Sequence, residues 1–311
     1  MQRLLIIGCG DVARRSLPLL AGRYRLYALV REPDAALTAD LARFGVTIIR
    51  GDLDRPATLA RLAGLADLVL HFAPPPESGK SAGKLAGDLA IDTAAADHDP
   101  RTRRLIAALR RGKILPRRLV YISTSGIYGD CGGAVIDETR KLRPQTARAR
   151  RRVDAEAELR RWGKTPGGPT VSLLRAPGIY AANRLPVERI RRHDPVLDAD
   201  ADVFTNHIHG DDLARACLAA LRRGRPNRAY HASDDSALRM AEWFDAVADA
   251  VGLPHPRRVS RAVAERVLAP TVLSFMRESR RLDNQRLKRE LGLRLSYPTV
   301  AAGLAAIRKE S

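Results

Sequence analysis

A glycine-rich turn near the start of the chain constrains its fold more than any other feature. Residues 3–7 (RLLII) are a short, mainly apolar run typical of a buried parallel strand, and the residues after the turn carry apolar side chains at helical spacing. Between them the chain reads GCGDVA, a Gly-x-Gly-x-x-Ala spacing. Gly8 permits a tight turn, and Gly10 lets the backbone approach a pyrophosphate. Asp11 and Val12 begin the helix, whose free N–H groups attract phosphate, so the pattern predicts a dinucleotide-binding unit rather than an ordinary strand–turn–helix.

The composition limits the classes of protein that this chain can join. Its 311 residues suffice for one large domain, or for a domain with a smaller lobe, and 45% are hydrophobic. No apolar run approaches the roughly 20 residues that a membrane span needs, and the first residues lack a signal-peptide core. Cys9, Cys131 and Cys217 are too scattered for a disulfide framework or a metal site. We therefore expect a cytoplasmic protein without a metal.

The strong positive charge favours an anionic small substrate over nucleic acid. The formal net charge is +19, and arginine supplies 47 of the 54 basic side chains. Arginine in place of lysine often reflects the composition of a genome, and the aromatic residues (5%) are not interleaved with the basic runs. We therefore expect no nucleic-acid partner. The surplus charge could still attract a small anion.

Apolar runs alternate with helical segments through the first part of the chain. This rhythm predicts an α/β fold of the Rossmann type, a doubly wound parallel sheet that binds ligands beyond the carboxyl ends of its strands. The predicted strands are 3–7, 26–30, 46–49, 67–72, 118–122 and 170–174. The predicted helices between them are 12–20, 34–44, 56–62, 101–111 and 147–162.

The rhythm changes after residue 180. We predict that residues 1–180 form the dinucleotide-binding domain and that 181–311 form mostly a smaller α/β substrate lobe, with a strand near 228–231 that could join the sheet. Helices are predicted there at 237–251, 262–277 and 298–309. The polar segment 74–88 contains Gly79-Lys80-Ser81, but Pro74 stands where a phosphate-binding loop needs its leading glycine, so that interpretation is rejected.

Five segments in order resemble the extended short-chain dehydrogenase/reductase superfamily, the NAD(P)-dependent epimerases and dehydratases. The resemblance runs from Leu4 to about Ile307. It rests on the glycine turn and on GDL at 51–53, STSGIYG at 123–129, RAPGIY at 175–180 and NHIHGDDLA at 206–214. The Gly-x-Gly-x-x-Ala spacing, HFAPPP at 71–76 and an arginine-rich helix indicate an atypical branch.

The resemblance assigns cofactor contacts to the ends of several strands. It implies that Asp52 accepts a hydrogen bond from the adenine amino group and that Leu53 packs beside the ring. The alternative for Asp52 is a turn or helix-cap carboxylate. It also implies that Ala73 and Pro74 line the cofactor's path along strand four, and that the nicotinamide end is covered by Pro177 and Gly178. A plain strand-ending turn is the alternative for the last two residues.

The end of strand two favours NADP(H) over NAD. NAD-binding proteins generally place a carboxylate there for the ribose hydroxyls, whereas here Val30 is followed by Arg31. A guanidinium can bind a 2′-phosphate through charge-assisted hydrogen bonds. Glu32, one position further, could serve the ribose of NAD instead.

The expected proton relay is missing. Family enzymes use a Ser or Thr after strand five and a Tyr-x-x-x-Lys pair on the next helix. Thr124 occupies the first place, but Arg148 and Arg152 stand where the Tyr and Lys belong. A guanidinium, with a pKa above about 12, is no general base at neutral pH.

Several interpretations of this site remain open. In an enzyme with a displaced relay, Arg152 would bind the nicotinamide ribose and Arg148 a carboxylate or phosphate of a small polar or nucleotide-sugar-like substrate. The proton would then pass through one of four side chains, of which the first is favoured: Tyr128, Tyr180, His207 and His209. Alternatively, the chain is a non-catalytic NADP-binding regulator. A third interpretation treats the helix as a basic solvent face, with Arg150 and Arg151 solvated. The resemblance also allows a homodimer.

Overall fold

The computed structural model describes residues 1–76 and 97–310 of the chain. The rejected phosphate-loop sequence at Gly79-Lys80-Ser81 lies outside the described residues. The strands are β1 (Arg3–Ile7), β2 (Arg25–Val30), β3 (Thr47–Arg50), β4 (Leu68–His71), β5 (Arg118–Thr124), β6 (Val135–Ile136), β7 (Thr170–Ala176), β8 (Gly178–Tyr180), β9 (Val196–Leu197), β10 (Phe204–Thr205), β11 (His207–His209), β12 (Arg228–His231), β13 (Leu238–Arg239), β14 (Arg258–Val259) and β15 (Arg281–Leu282).

Helices connect these strands and cover the sheet. They are α1 (Asp11–Leu20), α2 (Ala35–Arg43), α3 (Pro100–Arg110), α4 (Ala147–Gly163), α5 (Val187–Arg191), α6 (Gly210–Arg223), α7 (Met240–Val251), α8 (Arg261–Val267), α9 (Pro270–Phe275), α10 (Gln285–Leu291) and α11 (Val300–Glu310). Short 3₁₀ segments lie at Pro56–Leu62, Ser125–Tyr128 and Ala182–Arg184.

The described residues contain a seven-stranded sheet in the order β12-β7-β5-β4-β1-β2-β3. Every neighbouring pair in it is parallel. The chain runs outward in one direction from β1 to β3 and in the other from β4, so the topological switch point lies between β1 and β4. The predicted Rossmann-type, doubly wound sheet is therefore confirmed.

The sheet is buried on both faces because its strands are apolar at odd and even positions alike. Leu4 and Ile6 pack into one helical layer, and Leu5 and Ile7 into the other; all four side chains are fully buried. The first layer contains α1 and α6, and the second contains α3 and α4. Such continuous apolar strands are the mark of a parallel sheet covered by helices.

Elements beyond residue 180 both complete the sheet and build over its carboxyl edge. Strand β12 pairs with β7, and α6 packs against α1. In contrast, α7 and α11 share a separate apolar cluster with Tyr180 and Ile190. The short parallel pair β8–β11 sets Ile179 beside Ile208, which brings the 206–214 motif to the end of β7.

The prediction of one continuous helix at 262–277 is wrong, because the structure has two helices there. Helix α8 ends at Val267, and α9 begins at Pro270. Proline has no N–H to donate inside a helix and restricts the residue before it, but it is well suited to the first turn of a new helix. Ala269 is accordingly extended (φ −62°, ψ 145°). The predicted helix at 56–62 is a 3₁₀ segment.

Replacing Gly8 by alanine should destabilise the fold strongly. Gly8 has φ +90°, and a Cβ there would lie 2.6 Å from the Ala73 nitrogen. Gly22 also has positive φ (+73°), but a Cβ there meets nothing within 4 Å. Gly22→Ala should therefore lose only the conformational cost of about 1–2 kcal/mol, and Gly8→Ala clearly more. Urea unfolding would measure both, and equal losses would contradict the close packing of Gly8 on Ala73.

Candidate active site

A first cavity, here called the β1–β3 cleft, opens at the carboxyl ends of the first three strands and has a volume of about 360 Å³. Its lining includes the predicted residues Gly8, Arg31, Asp52, Leu53 and Ala73. Its other lining residues are Ile7, Cys9, Leu29, Val30, Glu32, Leu37, Gly51 and Arg101. Sequence positions up to 94 residues apart therefore converge on one cleft, because parallel strands end at the same edge of the sheet.

The glycine turn leaves the start of α1 accessible. Gly10 is the N-cap residue, with φ −77° and ψ −166°, and no side chain of the described chain caps the helix. A Cβ at Gly10 would meet nothing within 4 Å, so the space above this turn is open. The first-turn N–H groups, including those of Asp11 and Val12, have no partner within the helix. Together these features fit a pyrophosphate.

Residues of α1 and of the later chain bind the Asp11 carboxylate. It accepts hydrogen bonds from Arg15 Nε and Asn183 Nδ2, each at 3.0 Å. Burial alone would raise the pKa of Asp11, but these hydrogen bonds and the nearby guanidinium groups lower it overall. Arg15 also donates to Asp211 at 2.7 Å, so this network joins α1 to the start of α6.

Asp52 stabilises a turn, which was the alternative interpretation of this residue. Its Oδ1 accepts a hydrogen bond from the Asp54 N–H at 2.9 Å, and its own N–H donates to Thr58 Oγ1 at 2.9 Å. The side chain nevertheless lines the cleft beside Leu53. A structural turn and contact with adenine are therefore compatible at this residue.

Sequence reasoning missed Arg101, a second arginine at the cleft. Its guanidinium forms a forked pair with Asp54, at 3.0 and 2.6 Å, and also donates to the carbonyl of Pro74 at 3.2 Å. Hydrogen bonding to Arg101 is the main reason that the pKa of Asp54 is lowered. Arg31 lies on the same cleft and is exposed. No motif marks Arg101, because only the packing of α3 beside β4 brings it there.

A second cavity, here called the central cavity, has a volume of about 600 Å³. It lies where β5, β7 and α4 meet the segments after residue 180. It brings together seven residues singled out from the sequence: Thr124, Arg148, Arg152, Pro177, Gly178, Tyr180 and His207. Polar and aromatic residues that sequence reasoning missed also line it: Arg184, Arg189, Phe204, Trp243, Phe244, Phe275, Glu278 and Arg280.

Thr124 lines this cavity together with Arg148 and Arg152, the two arginines at the expected Tyr and Lys positions. Thr124 ends β5, and its Oγ1 accepts a hydrogen bond from the Gly126 N–H at 3.2 Å, which leaves the hydroxyl proton available. Arg148 stacks on the Phe275 ring at 4.6 Å and has no hydrogen bond or salt bridge within the described residues. Arg152 is fixed to β5, because its Nη1 donates to the Ile122 carbonyl at 2.6 Å and to the Tyr121 hydroxyl at 2.9 Å.

The interpretation of α4 as a plain solvated basic face is wrong for Arg151. This side chain is buried (7% exposed), because it stands one helical turn before the fully buried Ala155 and shares that face. Arg150 is partly exposed and forms an ion pair with Asp97 at 2.6 Å. Arginines on consecutive positions of this helix thus have different surroundings.

Tyr128, the favoured proton donor, lies outside the central cavity. It is 1% exposed, and its hydroxyl contacts His231 Nε2 and Arg175 Nη1, each at 2.6 Å. Arg175 is held in turn by a forked ion pair with the buried Glu156. Burial raises the pKa of Tyr128. The structure therefore corrects this assignment: the hydroxyl belongs to a buried network and does not reach a substrate.

Of the other three proposed proton carriers, His207 lines the central cavity, and its Nδ1 has no hydrogen-bond partner within the described residues. The Tyr180 ring lines it, but its hydroxyl donates to the Thr299 carbonyl at 3.3 Å. His209 is absent from the lining and accepts a hydrogen bond from the Asp211 N–H at the start of α6. His207 stacks on Trp243, with ring centroids 4.1 Å apart, and burial lowers its pKa to about 3. It is therefore neutral at pH 7.

Tyr128→Phe should lower stability and leave cofactor affinity unchanged. Removing the hydroxyl leaves His231 Nε2 without its buried partner and takes one of two acceptors from Arg175 Nη1, which keeps the Glu138 carbonyl; the loss should be about 1–3 kcal/mol. Tyr27→Phe is the matched control, since that ring is also buried and no hydrogen bond joins its hydroxyl to the described residues, so this variant should lose less. Urea unfolding and NADPH fluorescence titration would measure the two effects. An unchanged free energy of unfolding for Tyr128→Phe would contradict the network.

Known proteins resemble this chain over most of its length. A family model described as the NAD dependent epimerase/dehydratase family matches residues 6–233. A Streptomyces protein named 3-diazoavenalumate denitrifying reductase is 26% identical over 322 aligned residues, which cover 97% of this chain and 99% of that protein. Within the described residues, no helix has the length and apolarity to cross a membrane, and no group of His, Cys, Asp and Glu side chains could hold a metal ion.

Solved structures share the fold. A conserved protein of unknown function from Silicibacter pomeroyi DSS has a TM-score of 0.71 and 28% identity, covering 100% of this chain and 99% of its own. The dTDP-glucose 4,6-dehydratase DesIV from Streptomyces venezuelae, a double mutant solved with NAD and DAU, has a TM-score of 0.75 and 23% identity. That alignment covers 99% of this chain and 96% of DesIV.

Proposed function

Because the chain belongs to the NAD-dependent epimerase/dehydratase family of the short-chain dehydrogenase/reductase superfamily, we propose that it is an NADP(H)-dependent reductase of a small anionic substrate. The observation that carries the proposal is the pair of cavities at the carboxyl edge of one sheet. The β1–β3 cleft combines an open helix start with two arginines, and the central cavity combines Thr124 with Arg148. The name of the Streptomyces relative supports reduction as the reaction type.

The β1–β3 cleft fits a dinucleotide with a 2′-phosphate. The Gly8–Gly10 turn would hold the pyrophosphate, and Asp52 with Leu53 the adenine. Arg31 is exposed at the cleft, and Arg101 is fixed beside it by Asp54, so two guanidinium groups favour an added phosphate over a free ribose hydroxyl. Glu32 and Asp52 also line the cleft, so the preference rests on the position of the exposed Arg31 rather than on an excess of cations.

The central cavity would orient the substrate and supply a hydrogen bond. Bound NADPH would supply a hydride from its nicotinamide ring, which Pro177 and Gly178 would cover. Thr124 would donate its hydroxyl proton to the reacting group, since that oxygen already accepts from Gly126. Arg148, which forms no salt bridge within the described residues, would hold the substrate anion. The remaining donors of Arg152 would bind the nicotinamide ribose, and the net proton would come from water through Thr124.

A non-catalytic NADP-binding regulator is the second candidate. It is favoured by the loss of the Tyr-x-x-x-Lys pair and by the use of Arg152 Nη1 to bind the backbone of β5. Either protein would have its cofactor domain mainly in residues 1–180 and its substrate lobe mainly in 181–311. We further propose that it is cytoplasmic, where its three free cysteines would stay reduced, and that it forms a homodimer.

Arg31→Ala should reduce NADPH affinity by roughly tenfold to a hundredfold, because a charge-assisted contact to the 2′-phosphate is lost. NADH affinity should change little. Arg23→Ala is the matched control, since Arg23 is an exposed arginine near the opposite end of β2. Fluorescence titration of all three proteins with both cofactors would measure the change. Equal affinity of the unchanged protein for NADPH and NADH would remove the role given to Arg31.

Thr124→Ala and Arg148→Ala should impair turnover in different ways. Loss of the Thr124 hydroxyl should lower kcat by about a hundredfold, and loss of the Arg148 cation should chiefly raise KM. Arg150→Ala, on the same helix but outside the central cavity, is the control and should behave like the unchanged protein. NADPH oxidation across a panel of carboxylated ketones, aldehydes and diazo compounds would test this. Tight NADPH binding without any turnover would favour the regulator.

A further inference from the structure

Aromatic rings form one side of the central cavity. The rings of His207 and Trp243 stack with their centroids 4.1 Å apart and their planes 28° apart. Tyr180 meets both rings edge-on, at 6.2 and 5.5 Å, and so fixes their orientation. His207, Trp243 and Tyr180 are each at least nine-tenths buried and therefore rigid in position. A flat, rigid ring surface favours a flat, conjugated ligand over a puckered sugar.

Polar atoms beside this surface are buried without hydrogen-bond partners in the described part of the chain. They include Nδ1 of His207 and both Nε and Nη2 of Arg189. Burying a polar group without a partner is unfavourable, and burying part of a guanidinium is more so. A ligand that brings an acceptor to Arg189 would remove this penalty.

Arg189 stands directly beside the aromatic side of the cavity. Its guanidinium lies 4.5 Å from the centroid of the Phe244 ring, and Phe244 follows Trp243 on α7. Asp194 lies 3.5 Å from Arg189 Nε, so the ion pair is long and leaves Nε without a hydrogen bond. Because neither Nε nor Nη2 has a hydrogen-bond partner, the guanidinium retains donors for a carboxylate.

The charges of the cavity also favour an anion. Five arginines line it (Arg148, Arg152, Arg184, Arg189 and Arg280), against one acidic side chain, Glu278. Glu278 is already engaged by Arg280 at 2.8 Å. The cavity of about 600 Å³ must also hold the nicotinamide end of the cofactor, which leaves room for a small ligand rather than a nucleotide sugar.

We propose that the substrate of the central cavity is a planar aromatic carboxylate. Its ring lies against His207 and Trp243, and its carboxylate pairs with Arg189. This inference rests on the proposed function, because the ligand occupies the cavity that the nicotinamide would enter.

Cinnamate is a suitable probe, with two matched ligands that each remove one property. Cinnamamide keeps the conjugated ring but loses the charge, and 3-cyclohexylpropanoate keeps the charge but loses the flat ring. The full chain, saturated with NADPH, would be titrated with each ligand by calorimetry. Cinnamate should bind at least about tenfold more tightly than either, since a charge-assisted pair and a ring contact each contribute on that scale.

Substitution of Arg189 tests the assigned cation. Arg189→Gln should weaken cinnamate binding roughly tenfold to a hundredfold and leave cinnamamide unchanged. Arg189→Lys, which keeps the charge without the fork, should give a smaller loss. Arg191→Gln is the control, because Arg191 lies exposed on the same helix and pairs with Glu188. Thermal unfolding of each variant would show whether it folds.

The outcomes separate this inference from the proposed function. Failure of the unchanged protein to bind NADPH would overturn the proposed function and this inference with it. Tight NADPH binding with no preference for cinnamate would overturn the inference alone. Tighter binding of UDP-glucose than of cinnamate would do the same. An equal loss of cinnamate affinity in Arg191→Gln and Arg189→Gln would overturn the assignment of the carboxylate to Arg189.

Discussion

The close contact between the backbone at Gly8 and the backbone at Ala73 determines how the first cavity is built. The N–H groups of Phe72 and Ala73 both donate to the Ile7 carbonyl, so the ends of β1 and β4 are tied together at the switch point. Only a residue without a Cβ can occupy position 8 there. The turn then enters α1 through Gly10, whose own missing side chain leaves the helix start open to phosphate. Sheet topology and cofactor geometry thus depend on the same few atoms.

In the central cavity, arginines occupy the two positions at which the family pattern has a proton-transferring pair. Arg148 and Arg152 replace groups that would exchange a proton, and neither can do so near neutral pH. Arg152 is used partly to brace the end of β5, whereas Arg148 keeps its charge available above Phe275. The tyrosine of the STSGIYG segment cannot compensate, because Arg175 and His231 hold its hydroxyl in the interior. In the proposed function the site therefore depends on Thr124 for its hydrogen bond and on cations for substrate binding.

Local patterns predicted the strands well and failed where packing decides a side chain's surroundings. The central strands follow the predicted apolar runs to within about two residues, because a strand covered on both faces must be apolar at every position. The arginines of α4 look alike in sequence, yet Arg151 is buried and Arg150 is not. The continuous helix predicted across Pro270 was also wrong, although a proline inside a helical pattern is itself a local signal that the helix ends.

The sequence by itself determined the parallel sheet, the glycine turn and the absence of the usual proton relay, since each depends on residue types at short spacing. Only the tertiary structure decided which polar groups meet. Arg101 reaches the β1–β3 cleft through the packing of α3, and Arg189 reaches the aromatic side of the central cavity through α5 and α7. The tertiary structure also places the Tyr128 hydroxyl in the interior. Such contacts join residues tens to more than a hundred positions apart, and no local pattern encodes them.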